Sequence, residues 1–366
     1  MNNYLDIIKI TLVAFPFVAF LITLPFILIQ YHKYGSISFW KTVLVYSFVL
    51  YLMCAYFLII LPLPKISEVA MLTTPRMQLI PFKFIIDFIK ESSFNITNIH
   101  TYWIALKESC FYVPIYNILL TLPFGIYLRY YFKCDLKKTI LYIFLLSLFF
   151  ELTQLSGLYF IYPRGYRLFD IDDLMLNTLG GLLGYLIAKP IVKKLPKMEK
   201  IDLVAREKGK KITGFKRTTA FLLDLFIWMI IEIILFMSLS KFINDVYLMI
   251  FGILIYYFII PVFLKSRTLG EKFLNIQILT DNGENNIFRY FYRNILFIII
   301  YFGIPSLIAF GINNLNVSNN IVEFIGALFI GVILLVYIIS VFKYFFTSKK
   351  MLYEKISKTK LVSTIK

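Results

Sequence analysis

Between Glu151 and Gly184 the chain reads ELTQLSGLYFIYPRGYRLFDIDDLMLNTLGGLLG, where carboxylates, amides, two arginines and several glycines crowd between almost purely apolar stretches. Glu151 and Gln154 are three residues apart, and Asp170, Asp173 and Asn177 follow one another at i, i+3 and i+7. On helices each set would share a face. A charged side chain at membrane depth costs about 2.5–3.5 kcal/mol on insertion scales, so these acids need a chemical or a structural reason to be there. Paired carboxylates could act as general acid and base. They could also place oxygen ligands around a divalent cation that bridges to a lipid pyrophosphate. Arg164 and Arg167, in the connection between the two helices, could neutralise the acids or bind a phosphate, because guanidinium matches both geometrically. The same groups equally fit helix caps and interhelical hydrogen bonds that hold no ligand. No Ser-His-Asp set, P-loop or HExxH is present, and Cys54, Cys110 and Cys134 lack CxxC spacing, so neither a disulfide framework nor a metal site follows from them. The residues assign no catalytic role and indicate no cofactor.

The elements that must position these groups are membrane helices. The 366-residue chain is 60% hydrophobic, with a mean hydropathy of +0.78, against roughly 45–50% apolar content in soluble domains. Apolar runs near 5–30, 40–63, 108–130, 139–162, 174–192, 218–240, 244–264, 290–311 and 321–345 predict an all-α polytopic protein with about nine transmembrane helices. Glu151 and Gln154 then end the fourth span. Asp170 or Asp173 starts the fifth, where a carboxylate caps the helix and meets its positive dipole end. Gly180 and Gly184 make a GxxxG pattern that lets a neighbouring helix approach closely, with the fourth span as the expected neighbour.

The formal charge of +17 belongs to the connections. Loops near 31–41, 129–138, 189–217, 265–293 and 343–366 hold 29 of the 38 lysines and arginines, so these loops are expected in the cytoplasm. With an odd number of spans this predicts a plasma-membrane protein whose N-terminus is outside and whose C-terminus is cytoplasmic. Glu151 to Asp173 would face outward, and His32 and His100 would lie on opposite sides. Basic flanks attract anionic lipid head groups, so the charge requires no nucleic acid. In the outer loop, Phe82 to Glu91 has the pattern of an amphipathic helix on the membrane surface. The basic stretch after 190 predicts a boundary: a membrane domain over 1–190, a cytoplasmic linker over 191–211, a second domain of four spans over 212–346, and a basic tail over 347–366. In the second domain Asp224 and Glu232 lie within a span, and Arg217 sits seven residues before Asp224 on the same face. Partial alternation from Phe273 to Leu279, followed by Asp281-Asn282-Gly283, predicts a short hairpin.

Asn117 with Leu122-Pro123-Phe124-Gly125, Glu151-Leu152-Thr153-Gln154, Arg167 through Asp173, and Asn177-Thr178-Leu179-Gly180-Gly181 together resemble the VanZ-like family, as does Leu79-Ile80-Pro81-Phe82. The resemblance covers roughly 40–190. It implies a five-span unit associated with low-level resistance to glycopeptides such as teicoplanin. It carries over Glu151, Gln154, Arg167, Asp170, Asp173 and Asn177 as functional positions without assigning their roles. Lys216-Arg217 through Asp224, then Thr268-Leu269-Gly270-Glu271-Lys272, then Asp281 with Arg289 and Arg293, resemble the RDD family over 212–346. That resemblance implies transport, with Arg217 and Asp224 as named family positions and Asp281 taken as the second aspartate. The leading expectation is binding or handling of a cell-envelope lipid at the outer leaflet, with membrane lipids or a polyprenyl-linked cell-wall precursor as partner. The alternatives are an ion or small-solute transporter using Asp224, Glu232 and Arg217, and an intramembrane lipid-modifying enzyme using Glu151 and Asp173.

Overall fold

A computed structural model of the chain describes residues 2–304, 306–307, 320–346 and 349–365. Helix accounts for 73% and strand for 4%, an all-α architecture. Among the described residues seven helices are long and apolar enough to cross a membrane. Of the two other expected spans, 290–311 begins as the helix Ile287–Ile298 and passes into a π-helical turn at Ile299–Gly303, with 308–319 outside the described residues. The stretch 321–345 lies in the helix Asn320–Phe346. The protein is a multi-pass membrane protein by these features.

The chain forms two compact units, Met1–Thr23 with Phe39–Ile201, and Leu24–Ser38 with Asp202–Lys366. The first contains most of α1 (Asn2–Tyr34), α2 (Phe39–Ile60), the short α3 (Lys83–Glu91), α4 (Ser109–Tyr130), α5 (Leu136–Leu155) and α6 (Ile171–Lys194). Two-residue strands β1 (Met77–Gln78) and β2 (Phe169–Asp170) pair in parallel, Met77 opposite Phe169 and Gln78 opposite Asp170. Local chemistry starts the helices. The Asp135 carboxylate accepts from the Lys138 N–H at 2.8 Å to cap α5, and Asp170 accepts from the Asp172 N–H at 2.8 Å to cap α6.

The glycine stripe of α6 packs differently from expectation. A Cβ on Gly180 would lie 2.1 Å from the Ile118 carbonyl oxygen, and one on Gly184 only 1.9 Å from that of Leu122, so both glycines face α4, not the fourth span. Gly181 turns toward Ile143 of α5 instead, where a Cβ would come within 2.4 Å of a side-chain carbon. Gly125 of α4 completes the close crossing, because its Cβ would meet the Gly181 carbonyl oxygen at 1.9 Å. Without a hydrophobic force between helices in lipid, such backbone approach is what draws spans together. A short connection made α5 the nearer helix in sequence, but the angular position of the glycines decided the partner.

The second unit contains the last turns of α1, α7 (Met198–Gly209, whose first residues belong to the first unit), α8 (Gly214–Leu239), α9 (Asp245–Leu254), α10 (Leu269–Phe273), α11 (Ile287–Ile298), α12 (Asn320–Phe346) and α13 (Leu352–Ile356). A π-helical stretch, Ile255–Ile259, follows α9. Tyr31 of α1 shares an apolar cluster with Ile212, Ala220, Leu274 and Ile276. The expected hairpin does not form. Strand β3 (Ile276–Thr280) pairs instead with β4 (Thr359–Ser363) from the tail, antiparallel, with Ile278 opposite Leu361. After the turn at Gly283 the Asn286 side chain accepts from the Arg289 N–H at 3.1 Å and starts α11, so no strand is at hand to complete a local hairpin.

Candidate functional site

In the first unit one end of the bundle gathers the polar groups. Glu151 is 2% exposed, and its Oε2 accepts from the Asp170 backbone N–H at 3.0 Å. Asp170 and Asp173 are its acidic neighbours. Asn117 of α4 donates through Nδ2 to Asp173 Oδ1. One turn further in, Thr121 donates to the Asn177 carbonyl at 2.5 Å, and Asn177 Nδ2 donates to the Ser147 hydroxyl at 3.0 Å. Gln154 is buried, and its Nε2 reaches the Ile59 carbonyl at 3.4 Å. Thus Asn117, Glu151, Asp170, Asp173 and Asn177 come together across α4, α5 and α6, with Gln154 on the side facing α2. Among the described residues neither Glu151 nor Asp173 makes an ion pair, and no group of three or more His, Cys, Asp or Glu side chains is arranged to hold a metal ion.

The two arginines are committed elsewhere. Arg164 donates from Nη1 to the Leu72 carbonyl and from Nη2 to that of Thr74. Arg167 donates to the carbonyls of Leu58 at 3.3 Å and Leu61, the exposed acceptors at the C-terminal end of α2. Guanidinium therefore fastens the loop after α2 to the connection before α6. Asp172, which lies within the Arg167–Asp173 run but was not among the candidate site residues, does the same for the segment around Phe82. Its carboxylate is 3% exposed and accepts from the Phe82 N–H at 2.6 Å and the Phe84 N–H at 2.9 Å. Gln78 reinforces the contact by donating to Asp170 Oδ1 at 3.3 Å. Asp170 lies ahead of the span, half-buried. Burial holds its carboxyl above the usual carboxylate range, outweighing the hydrogen bond from the Asp172 N–H. The helix α3 anchored there turns Phe88 toward Phe111 of α4, ring centroids 6.0 Å apart, and leaves Ile85, Ile86 and Ile89 exposed.

In the second unit Asp224 is 4% exposed. Oδ1 accepts from the Tyr256 hydroxyl at 2.6 Å and the Gly270 N–H at 2.7 Å, and Oδ2 accepts from the Thr268 hydroxyl at 2.7 Å. Thr268 and Glu271 form a reciprocal cap on α10. A Cβ on Gly270 would come within 2.5 Å of Asp224 Oδ1, so this approach requires glycine. Tyr256 projects from the π-helical stretch, a common way to aim one side chain out of helical register. Glu232 packs against Gly252. Arg217 does not bond Asp224. Its Nη2 lies 3.6 Å from Glu354 of the tail, and Arg293 Nη2 lies 3.6 Å from the other oxygen of the same carboxylate. Asp281 stands apart at the exposed turn after β3, paired with Lys350. Glu354 and Tyr256 carried no motif of their own. The only sequence sign for Glu354 was an acid in an apolar patch, Met351 to Ile356, inside a basic tail.

Residues 48–193 match the family model described as VanZ/LLP1, and residues 213–358 match that of the RDD family. The matched regions contain the acidic cluster and the Asp224 and Glu354 contacts respectively. No curated protein and no solved structure matches the chain. The chain therefore joins an N-terminal VanZ-like region to a C-terminal RDD region.

Proposed function

We propose that the VanZ-like region binds the head group of a cell-envelope lipid at the outer leaflet of the plasma membrane and thereby lowers susceptibility to glycopeptide antibiotics such as teicoplanin. The observation that carries this reading is a buried Glu151 beside Asp173 and Asn117, without an ion-pairing partner among the described residues, next to the exposed apolar ledge of α3. Buried carboxylates without cations favour ligands that bring hydrogen-bond donors. Because Arg164 and Arg167 are bonded to backbone carbonyls, the site is suited to the hydroxyl, amide or ammonium groups of a head group more than to its phosphates. Ile85, Ile86 and Ile89 provide an apolar surface for the adjoining lipid chain. This reading goes with the orientation expected from the loop charges, N-terminus outside and Lys-rich tail in the cytoplasm.

The test is complementation in a strain made teicoplanin-sensitive by deleting the gene. Glu151→Gln and Asp173→Asn, at protein levels equal to wild type, are expected to leave cells as sensitive as the deletion. Full restoration by both variants would show that the cluster is not the working site.

A further inference from the structure

The RDD region contains a cavity of about 610 Å³ that the VanZ-like reading does not use. Its volume lies within the roughly 300–1,000 Å³ typical of small-molecule sites. The lining changes in the same sense along two helices. On α8 it runs from Arg217 through Asp224 to Trp228, and on α11 from Arg293 to Phe297. Arg217 and Arg293 both face Glu354, so the two polar ends coincide and the apolar residues follow together, with Ile253 of α9 among them.

The hydrogen-bond needs at the polar end are unequal. Both oxygens of Asp224 are supplied by Tyr256, Thr268 and Gly270. Arg217, only 5% exposed, has no hydrogen-bond partner for Nε or Nη1 among the described residues, and the nearby Glu354 faces Nη2 at 3.6 Å. Glu271 also lines this end, accepting from the Thr268 N–H at 3.0 Å, and among the described lining residues the buried atoms left without a partner are Arg217 Nε and Nη1, Trp228 Nε1 and the Tyr290 hydroxyl, with Glu354 Oε1 unpaired behind the lining. The unpaired groups that face the cavity are therefore donors, and guanidinium N–H groups left unpaired in a buried site are costly. A water could supply one oxygen but leaves the apolar remainder unfilled. An amphiphile satisfies both ends.

We propose that this cavity holds one amphiphile with an oxyanion head, carboxylate or phosphate, placed against Arg217, and an acyl chain running along Trp228, Ile253 and Phe297. The site is separate from the acidic cluster of the VanZ-like region and does not depend on its function.

Trp228 provides the readout. In purified full-length protein carrying Trp40→Phe and Trp103→Phe, it is the sole indole. Fluorescence is titrated with a fatty acid brominated in mid-chain, with lysophosphatidylglycerol carrying the same brominated chain, and with the methyl ester of that fatty acid. The expected result is saturable quenching by at least one anionic probe at lower concentration than the ester. Precedence of the fatty acid assigns a carboxylate head, and precedence of the lysophospholipid a phosphate head. Arg217→Gln should weaken the anionic probe about tenfold or more, the loss of a charged hydrogen bond. Ile253→Phe, which fills the apolar part and leaves every polar group in place, should weaken it too. Equal quenching by ester and anions, or anion quenching unchanged in both variants, would overturn the proposal.

Discussion

At the scale of single residues, the carboxylates divide by what each is bonded to. Asp172 and Asp224 are consumed by N–H and O–H donors and hold segments in place, Glu354 balances two guanidiniums, and Glu151 and Asp173 are left beside one another with amide partners. Residue type alone does not separate them, since an acid near a span end serves as cap, counter-ion or ligand, and only its partners distinguish these roles. Asp170 offers a titration test. A carboxyl raised by burial holds its proton more tightly in the folded state than in the unfolded chain, where it titrates near about 3.9. Its contribution to stability is therefore complete below that range and is lost as pH rises through the raised value. Asp170→Asn keeps an acceptor oxygen for the Asp172 N–H but does not titrate. Thermal unfolding of the wild type should fall relative to Asp170→Asn as pH rises from about 4. Parallel profiles would mean that Asp170 does not behave as a buried acid.

At the scale of elements, the glycines of α6 determine which helices meet. Gly180 and Gly184 admit the carbonyls of Ile118 and Leu122, and this crossing brings Asn117 to Asp173 and Thr121 to Asn177. The GxxxG pattern revealed a close contact in the sequence but not its partner, because spacing along one helix contains no information about the helix opposite. Gly184→Leu must displace the backbone of α4, not a flexible side chain, and overpacking of this kind costs about 3 kcal/mol or more. Gly331→Ala, inside α12 where nothing lies within 4 Å of an added Cβ, should not destabilise, since alanine is favoured over glycine in a helix interior by about 0.5–1 kcal/mol. Unfolding of the two variants in detergent tests the difference, and a harmless Gly184→Leu would refute the crossing. The segment before α3 shows a second element-level constraint. Phe82 adopts φ 64°, a left-handed conformation unfavourable for a bulky residue, and the Asp172 carboxylate holds it by accepting its N–H.

At the scale of the whole molecule, distant parts of the sequence complete each unit. In the RDD region the tail supplies β4 to β3 and Glu354 to Arg217 and Arg293. Removing one partner from a buried charge group costs about 3–5 kcal/mol. Glu354→Gln should therefore lower the unfolding midpoint of the purified protein by several degrees, whereas Lys355→Gln, on the exposed side of α13, should not. Equal midpoints would show that the guanidiniums do not rely on Glu354. Orientation in the membrane has its own test. Ile89 is 74% exposed on α3, so Ile89→Cys in a chain lacking Cys54, Cys110 and Cys134 should react with a membrane-impermeant maleimide on intact cells. Reaction only after permeabilisation would place the acidic cluster at the cytoplasmic face and remove an outer-leaflet lipid as its ligand.

Composition and hydropathy by themselves determined a multi-pass all-α protein, because crossing a bilayer demands long apolar helices whatever their packing. The order of motifs was enough to indicate a VanZ-like region followed by an RDD region. Helix periodicity suggested shared faces for Glu151 with Gln154 and for Asp170, Asp173 and Asn177, and capping chemistry offered Asp170 or Asp173 as the start of α6. Tertiary structure alone decided that Arg164 and Arg167 serve backbone carbonyls, that the glycine face meets α4, and that Arg217 pairs with Glu354 across more than a hundred residues of sequence. Each of those depends on which surfaces meet, and a hydrogen-bonding group that can satisfy several partners is committed only when packing brings one of them within reach.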